Sequence, residues 1–187
     1  MKKIKKGKIA VFDLDDTLYA GNSHFAILNQ YFNTNIFTSF LARVIGKLFP
    51  SLHLKLAYYF YNKIPQEYKK KFKLSYRLDV LDLFKEKQQN GYYIIIISNA
   101  PLELLKTAAV NLQVEYMRSG VGEKSSCLKE KFTFKKLFVC TDNVTDLDLL
   151  NIADEAVITC PLGKRDFFIK RVKHKNYKFI EDVSYER

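Results

Sequence analysis

Residues Tyr92 to Ile97 read YYIIII, six in a row with neither a charge nor a turn former. A strand with one wet face alternates apolar and polar side chains. A run that is apolar at both parities belongs to a strand covered on both faces, as in a parallel sheet with helices on each side. SNAP follows at 98–101, and Leu102 to Leu112 then repeats apolar residues at helical spacing, so the unit reads strand, loop, helix. Lys8 to Phe12 (KIAVF), Leu137 to Thr141 (LFVCT) and Ala156 to Thr159 read as further buried strands. Asp146 to Ala153 reads as a helix and Lys178 to Ile180 as a last strand. The expected fold class is α/β, a doubly wound parallel sheet.

Between the first two strands the pattern is helical. Apolar residues recur at three and four positions from Asn22 to Gln89, Pro50 and Pro65 are placed to open helices, and Gly91 is placed to close one. The organisation expected for 187 residues is one α/β core, 1–20 with 90–187, carrying an inserted helical cap at 21–89.

In an open parallel sheet the ligand crevice lies beyond the carboxyl ends of the strands. Three predicted strands end there in polar groups: Asp13 and Asp15, Ser98 and Asn99, and Asp142 with Asp146 close behind. Carboxylates gathered at one edge repel unless a cation lies among them. Hard oxygen donors with few histidines nearby favour Mg²⁺ over zinc. His24, His53 and His174 lack the spacing of metal ligands, and Cys140 reads as a core residue.

DLDDTL at 13–18, a strand ending in Ser98, a lysine downstream and TDNVTD at 141–146 together resemble the haloacid dehalogenase superfamily of phosphohydrolases. A helical insertion directly after the first motif resembles the phosphoserine phosphatase-like subgroup. The resemblance spans nearly the whole chain and implies a Rossmann-like core and hydrolysis of a phosphomonoester. Asp13 is implied as the nucleophile that becomes an aspartyl phosphate, and Asp15 as the acid and base. Ser98, Asn99 and Lys124 are implied to bind the phosphoryl group, and Asp13, Asp142 and the Asp15 carbonyl to hold Mg²⁺. Thr17 and Asp146 are implied as supporting residues. Lys129 and then Lys131 are the alternatives to Lys124. Two positions depart from the pattern: Asp16 and Thr141 stand where glycine is common.

Each motif also has a plainer reading. Asp13 to Thr17 alone fits a capped strand-to-helix turn, Ser98 a helix cap, and Asp146 a first-turn acid. Other functions remain open: a phosphate-binding regulatory domain without turnover, or a phosphatase of a phospholipid head group or nucleic-acid end. A receiver-like signalling domain also gathers acids, a hydroxyl and a lysine. It carries its phosphorylated Asp on a middle strand, however, whereas here the Asp pair comes first.

The net charge of +11 comes from lysine dispersed over the chain, so it supplies no focused polyanion site and no specific nucleic-acid partner is expected. A small phosphorylated metabolite is the expected partner. Phe37 to Tyr61 mixes Phe, Leu and Tyr with Arg43, Lys47, His53 and Lys55, a basic amphipathic character suited to peripheral contact with anionic lipid. The plainer account is that cap helices need apolar faces to pack on each other. Asn22, Ser23 and His24 follow the first motif and are placed to face the substrate. Three cysteines without CxxC spacing, no signal-peptide pattern and no long uncharged apolar run lead to the expectation of a cytoplasmic protein.

Overall fold

The computed structural model describes residues 3–181. In chain order the elements are β1 (Ile4–Lys5), β2 (Lys8–Phe12), α1 (Ser23–Tyr31), α2 (Phe40–Leu48), α3 (Pro50–Lys63), α4 (Gln66–Lys71), α5 (Leu78–Gln89), β3 (Tyr93–Ser98), α6 (Leu102–Leu112), β4 (Glu115–Arg118), α7 (Lys124–Lys131), β5 (Phe132–Thr133), β6 (Lys136–Thr141), α8 (Leu147–Leu150), β7 (Glu155–Thr159), α9 (Leu162–Arg171) and β8 (Tyr177–Ile180).

Six strands form one parallel sheet in the order β4-β3-β2-β6-β7-β8, and β1 pairs with β5 beside it. The chain moves outward from β2 through β3 to β4, then returns to β6 on the other flank of β2 and moves outward again. The strand order therefore reverses between β2 and β6, and the crevice of such a sheet opens at that switch.

The isoleucine run divides by parity, as its position demands. Ile94 and Ile96 join Ala10, Phe12, Phe138 and Cys140 on one face, under α5 and α6; Ile95 and Ile97 join Ile9, Val11, Leu137 and Val139 on the other, under α7, α8 and α9. Full burial of one such side chain contributes about 1.5–3 kcal/mol, which is why a strand apolar at both parities can sit only in the middle of this sandwich.

The stretch from 21 to 89 divides by packing. Ile27 and Leu28 of α1, Ala57 and Tyr61 of α3, Ile64 and Phe72 form a separate small core that leans on Leu104 of α6. The helix α5, read from the sequence as part of the insertion, instead buries Val80, Leu83 and Phe84 against the sheet. Two chain crossings join the cap to the core side by side. Ala20 N donates to Ser75 O at 2.9 Å, Arg77 N donates to Leu18 O at 2.9 Å, and the rings of Tyr19 and Tyr76 stack at 5.0 Å.

Candidate active site

The first motif leaves β2 at its carboxyl end, where Asp13 N donates to Cys140 O of the neighbouring β6 at 2.9 Å. That bond fixes Asp13 at the switch point. The turn that follows requires a left-handed residue, and Asp16 supplies it with φ +54°. Aspartate tolerates this region better than most side chains because its short carboxyl bonds locally, which accounts for an Asp where glycine is common. Thr17 ties the two central loops together: its hydroxyl donates to Asp142 Oδ1 at 3.1 Å and accepts from Asp142 N at 3.0 Å.

Lys124, the first residue of α7, is 1% exposed and reaches Asp13 Oδ1 at 2.9 Å and Asp146 Oδ2 at 2.6 Å. Burial works against its charge, but the two carboxylates outweigh burial and hold its pKa above the ordinary lysine value. Burial, and then the Asp13 charge, raises Asp146 to about 6. Of the other lysines considered, Lys129 is exposed and Lys131 pairs with Glu115, away from these carboxylates.

Asp15 Oδ1 accepts from Ser23 N at 2.8 Å, at the start of α1. Burial nevertheless raises its pKa to about 7, with a smaller push from Asp13 and Asp16, so near neutral pH the group exists in both protonation states. Asp142 is held well above the usual carboxylate range by burial and by the charges of Asp13 and Asp16. Among the described residues, no group of three or more His, Cys, Asp or Glu side chains is arranged to hold a metal ion. The oxygen donors available are the Asp13 and Asp142 carboxylates and backbone carbonyls.

These residues line a cleft of about 270 Å³ between sheet and cap, with Asp13, Asp15, Ser98, Asn99, Lys124 and Asp142 on its floor. Ser98 Oγ accepts from Ala100 N at 3.3 Å, which shapes the loop into α6. In the orientation that satisfies its neighbours, the Asn99 amide nitrogen donates to Ser119 O at 2.6 Å and Gly120 O at 3.2 Å, so this group braces the adjacent loop. The wall facing the carboxylates comes from the cap: Asn22, His24, Phe25, Leu54 and Tyr58. Asn22 caps α1 through Phe25 N at 3.2 Å. Ser23, expected at the cleft, is fully buried, and its main chain serves Asp15. His24 is 5% exposed, and burial lowers its pKa to about 4, so it is neutral.

Two supporting residues escaped the sequence reading. Thr141 donates its hydroxyl to Asp146 Oδ2 at 2.6 Å and accepts from Asn143 N at 3.1 Å, so the residue that departs from glycine belongs to the charge network. Asp148 Oδ2 accepts from Ser125 N at 2.7 Å and holds the first turn of α7, from which Lys124 projects. No spacing rule marks either: both bonds depend on how a short turn folds back.

No family model matches the chain, and no curated protein matches it. Solved structures do. A substrate-bound phosphoserine phosphatase complex is 15% identical with a TM-score of 0.63, covering 91% of this chain and 100% of that one. A phosphoserine phosphohydrolase-like protein from Francisella tularensis is 16% identical with a TM-score of 0.60, covering 91% and 94%. A HAD family hydrolase from Salmonella enterica serovar Typhi is 13% identical with a TM-score of 0.62, covering 90% of this chain and 72% of that one. The chain has the fold of these structures.

Proposed function

We propose that the protein is a Mg²⁺-dependent phosphomonoesterase acting on a small phosphorylated metabolite through an aspartyl phosphate on Asp13. The observation that carries this reading is the buried pairing of Asp13 with Lys124 at 2.9 Å, at the switch point of the sheet, with Asp15 two residues on at a pKa of about 7.

Asp13 attacks phosphorus while Asp15, protonated, gives its proton to the departing alcohol oxygen. Asp15, now a carboxylate, takes a proton from the water that attacks the aspartyl phosphate, releasing phosphate and restoring Asp13. Lys124 offsets the charge on the transferring group and is held on target by Asp146 and Thr141. Ser98, at the end of β3, lines the cleft, where its hydroxyl and the loop it shapes would take a phosphoryl oxygen.

Mg²⁺ fits the residues present. It favours oxygen donors and takes one or two carboxylates together with waters and substrate phosphate, not an all-protein cage. Burial first, and then the charges of Asp13 and Asp16, raise Asp142, and a cation beside it would offset both. Asp13, Asp142 and the Asp15 carbonyl would hold the ion, whose chemistry is to screen the nucleophile from the phosphate's charge and stabilise the oxygens of the transferring group.

The test is phosphate release from a panel of phosphomonoesters with and without Mg²⁺, comparing wild type with Asp13→Asn. Release that requires Mg²⁺ and vanishes in the variant supports the reading. A wild type that binds phosphate analogues but releases nothing from any panel member leaves a regulatory phosphate-binding role.

A further inference from the structure

The cap has too much apolar surface for its own packing. Its separate core is built from α1, the far end of α3 and the segment after it, whereas α2 and the start of α3 stay bare. Phe40 is 82% exposed, Leu41 67% and Phe49 59%, with Ile36, Leu48 and Leu52 exposed beside them. Along α2 the residues Leu41, Ile45 and Leu48 fall at i, i+4 and i+7, one stripe of the helix, and all three are exposed. The opposite side of α2 meets α3: a Cβ on Gly46 would come 2.6 Å from His53 Nδ1, and His53 in turn stacks on Phe25 at 5.1 Å. The stripe therefore faces away from the protein. Contiguous apolar surface of this kind marks an interaction site.

The charge pattern indicates which partner covers it. No Asp or Glu occurs between Asp16 and Glu67, while Arg43, Lys47, Lys55 and Lys63 fall in that interval. A second copy seated on this face would oppose two purely basic surfaces. A bilayer with acidic lipids offers both an apolar interior for the stripe and anionic head groups for the lysines. No helix among the described residues is long and apolar enough to cross a membrane.

We infer that the helix pair α2–α3 docks peripherally on an anionic phospholipid bilayer, with the Leu41–Ile45–Leu48 stripe and Phe40 and Phe49 in the interface and the exposed Lys55 among the head groups. Leu54 belongs both to the exposed surface and to the cleft wall, so docking sets the mouth of the cleft beside the plane of the head groups. The contact requires no turnover and stands apart from the proposed chemistry.

Vesicle flotation tests it, using phosphatidylcholine alone and an equimolar mixture with phosphatidylglycerol. The wild type floats with the mixed vesicles, not with phosphatidylcholine alone, and raised salt releases it. Phe40→Ser combined with Leu41→Ser and Phe49→Ser weakens flotation by at least about tenfold. Lys55→Glu leaves the apolar stripe intact and weakens flotation by at least about fivefold, since each basic residue near an acidic surface contributes about that factor. Circular dichroism checks the fold of both variants, and should the serine variant unfold, the lipid dependence and Lys55→Glu still decide. A wild type that ignores the mixed vesicles overturns the inference. So does a wild type that sediments as a dimer, binds no vesicles and becomes monomeric in the serine variant; the face is then a self-interface.

Discussion

Lys124 and Asp13 form a buried ion pair, 2.9 Å from Nζ to Oδ1, between the first turn of α7 and the carboxyl end of β2. Asp146 shares the same ammonium, so two carboxylates depend on one cation. Lys124→Met leaves both uncompensated. We expect phosphate release to fall by at least about 10²-fold, as when a principal transition-state donor is removed, and stability near neutral pH to fall by about 3 kcal/mol. Lys129→Ala, at an exposed site, leaves both unchanged. Initial rates and thermal melts of the two variants check this, and equal losses in both would contradict the assignment of Lys124.

Thr141 donates to Asp146 Oδ2 at 2.6 Å, the same oxygen that pairs with Lys124. Thr141→Val keeps the shape and deletes the donor, leaving Asp146 with one partner fewer in a fully buried position; the expected cost is about 1–3 kcal/mol. Thr141→Ser restores the bond and recovers most of the stability and rate. If the serine variant behaves like the valine one, shape and not the hydroxyl is what matters at this position.

The neutral state of His24 makes stability depend on acidity. Its folded pKa is about 4 against an ordinary value of 6.5, so the unfolded chain binds a proton that the folded chain refuses. The stabilisation is complete above about pH 6.5 and is lost progressively as pH falls toward 4, by a few kcal/mol at most. His24→Gln removes this dependence. Chemical denaturation at pH 7.5, 6, 5 and 4 checks it: the gap between the wild-type and variant stability curves should change across the window and be flat above it.

Asp16 sits at φ +54° in the turn between the nucleophile and Thr17. Asp16→Asn, which tolerates the same left-handed backbone, should be accepted with little loss of stability. Asp16→Val forces a β-branched residue into left-handed backbone and should cost about 1–2 kcal/mol, with a larger fall in activity because the same turn carries Asp15. Thermal melting paired with initial rates separates the two effects.

The central sheet was legible because its strands are apolar at both parities, a pattern that no amphipathic element shares. What escaped was marginal structure. Glu115–Arg118 carries charge at both ends and is only partly buried, so β4 gives no apolar signal of its own; it is a strand because Ile95 to Ser98 offer it an open edge. β1 and β5 are two residues each and are held by their mutual pairing. The assignment of α5 turned on tertiary contact: its apolar stripe resembles those of the cap helices, and only packing shows that Phe84 meets Phe12 at 5.3 Å. Position after a strand was enough to place Asp13, Asp15, Ser98 and Asp142 at one cleft. The resemblance put Lys124 first among three lysines, and the phase of α7 separates them: Lys124 points back toward the sheet edge, Lys129 turns to solvent and Lys131 pairs with Glu115. The Thr141 and Asp148 bonds lie in turn geometry that a linear pattern does not encode.

The paired crossings at 18–20 and 75–77 enter and leave the core side by side, bonded to each other as well as to their own segments. A loop whose two ends are already closed by the host costs the host little when its contents change. The residues from Gly21 to Leu74 can therefore be regarded as a cassette: replaced by a cap from another protein of this fold, the sheet should still assemble with Asp13, Lys124 and Asp142 in register, while the wall opposite them changes. The carboxylates at the sheet edge and the wall that faces them thus lie in separable pieces of one chain, and a chimera spliced at Ala20 and Ser75 would have to supply again the main-chain donor that Ser23 gives Asp15.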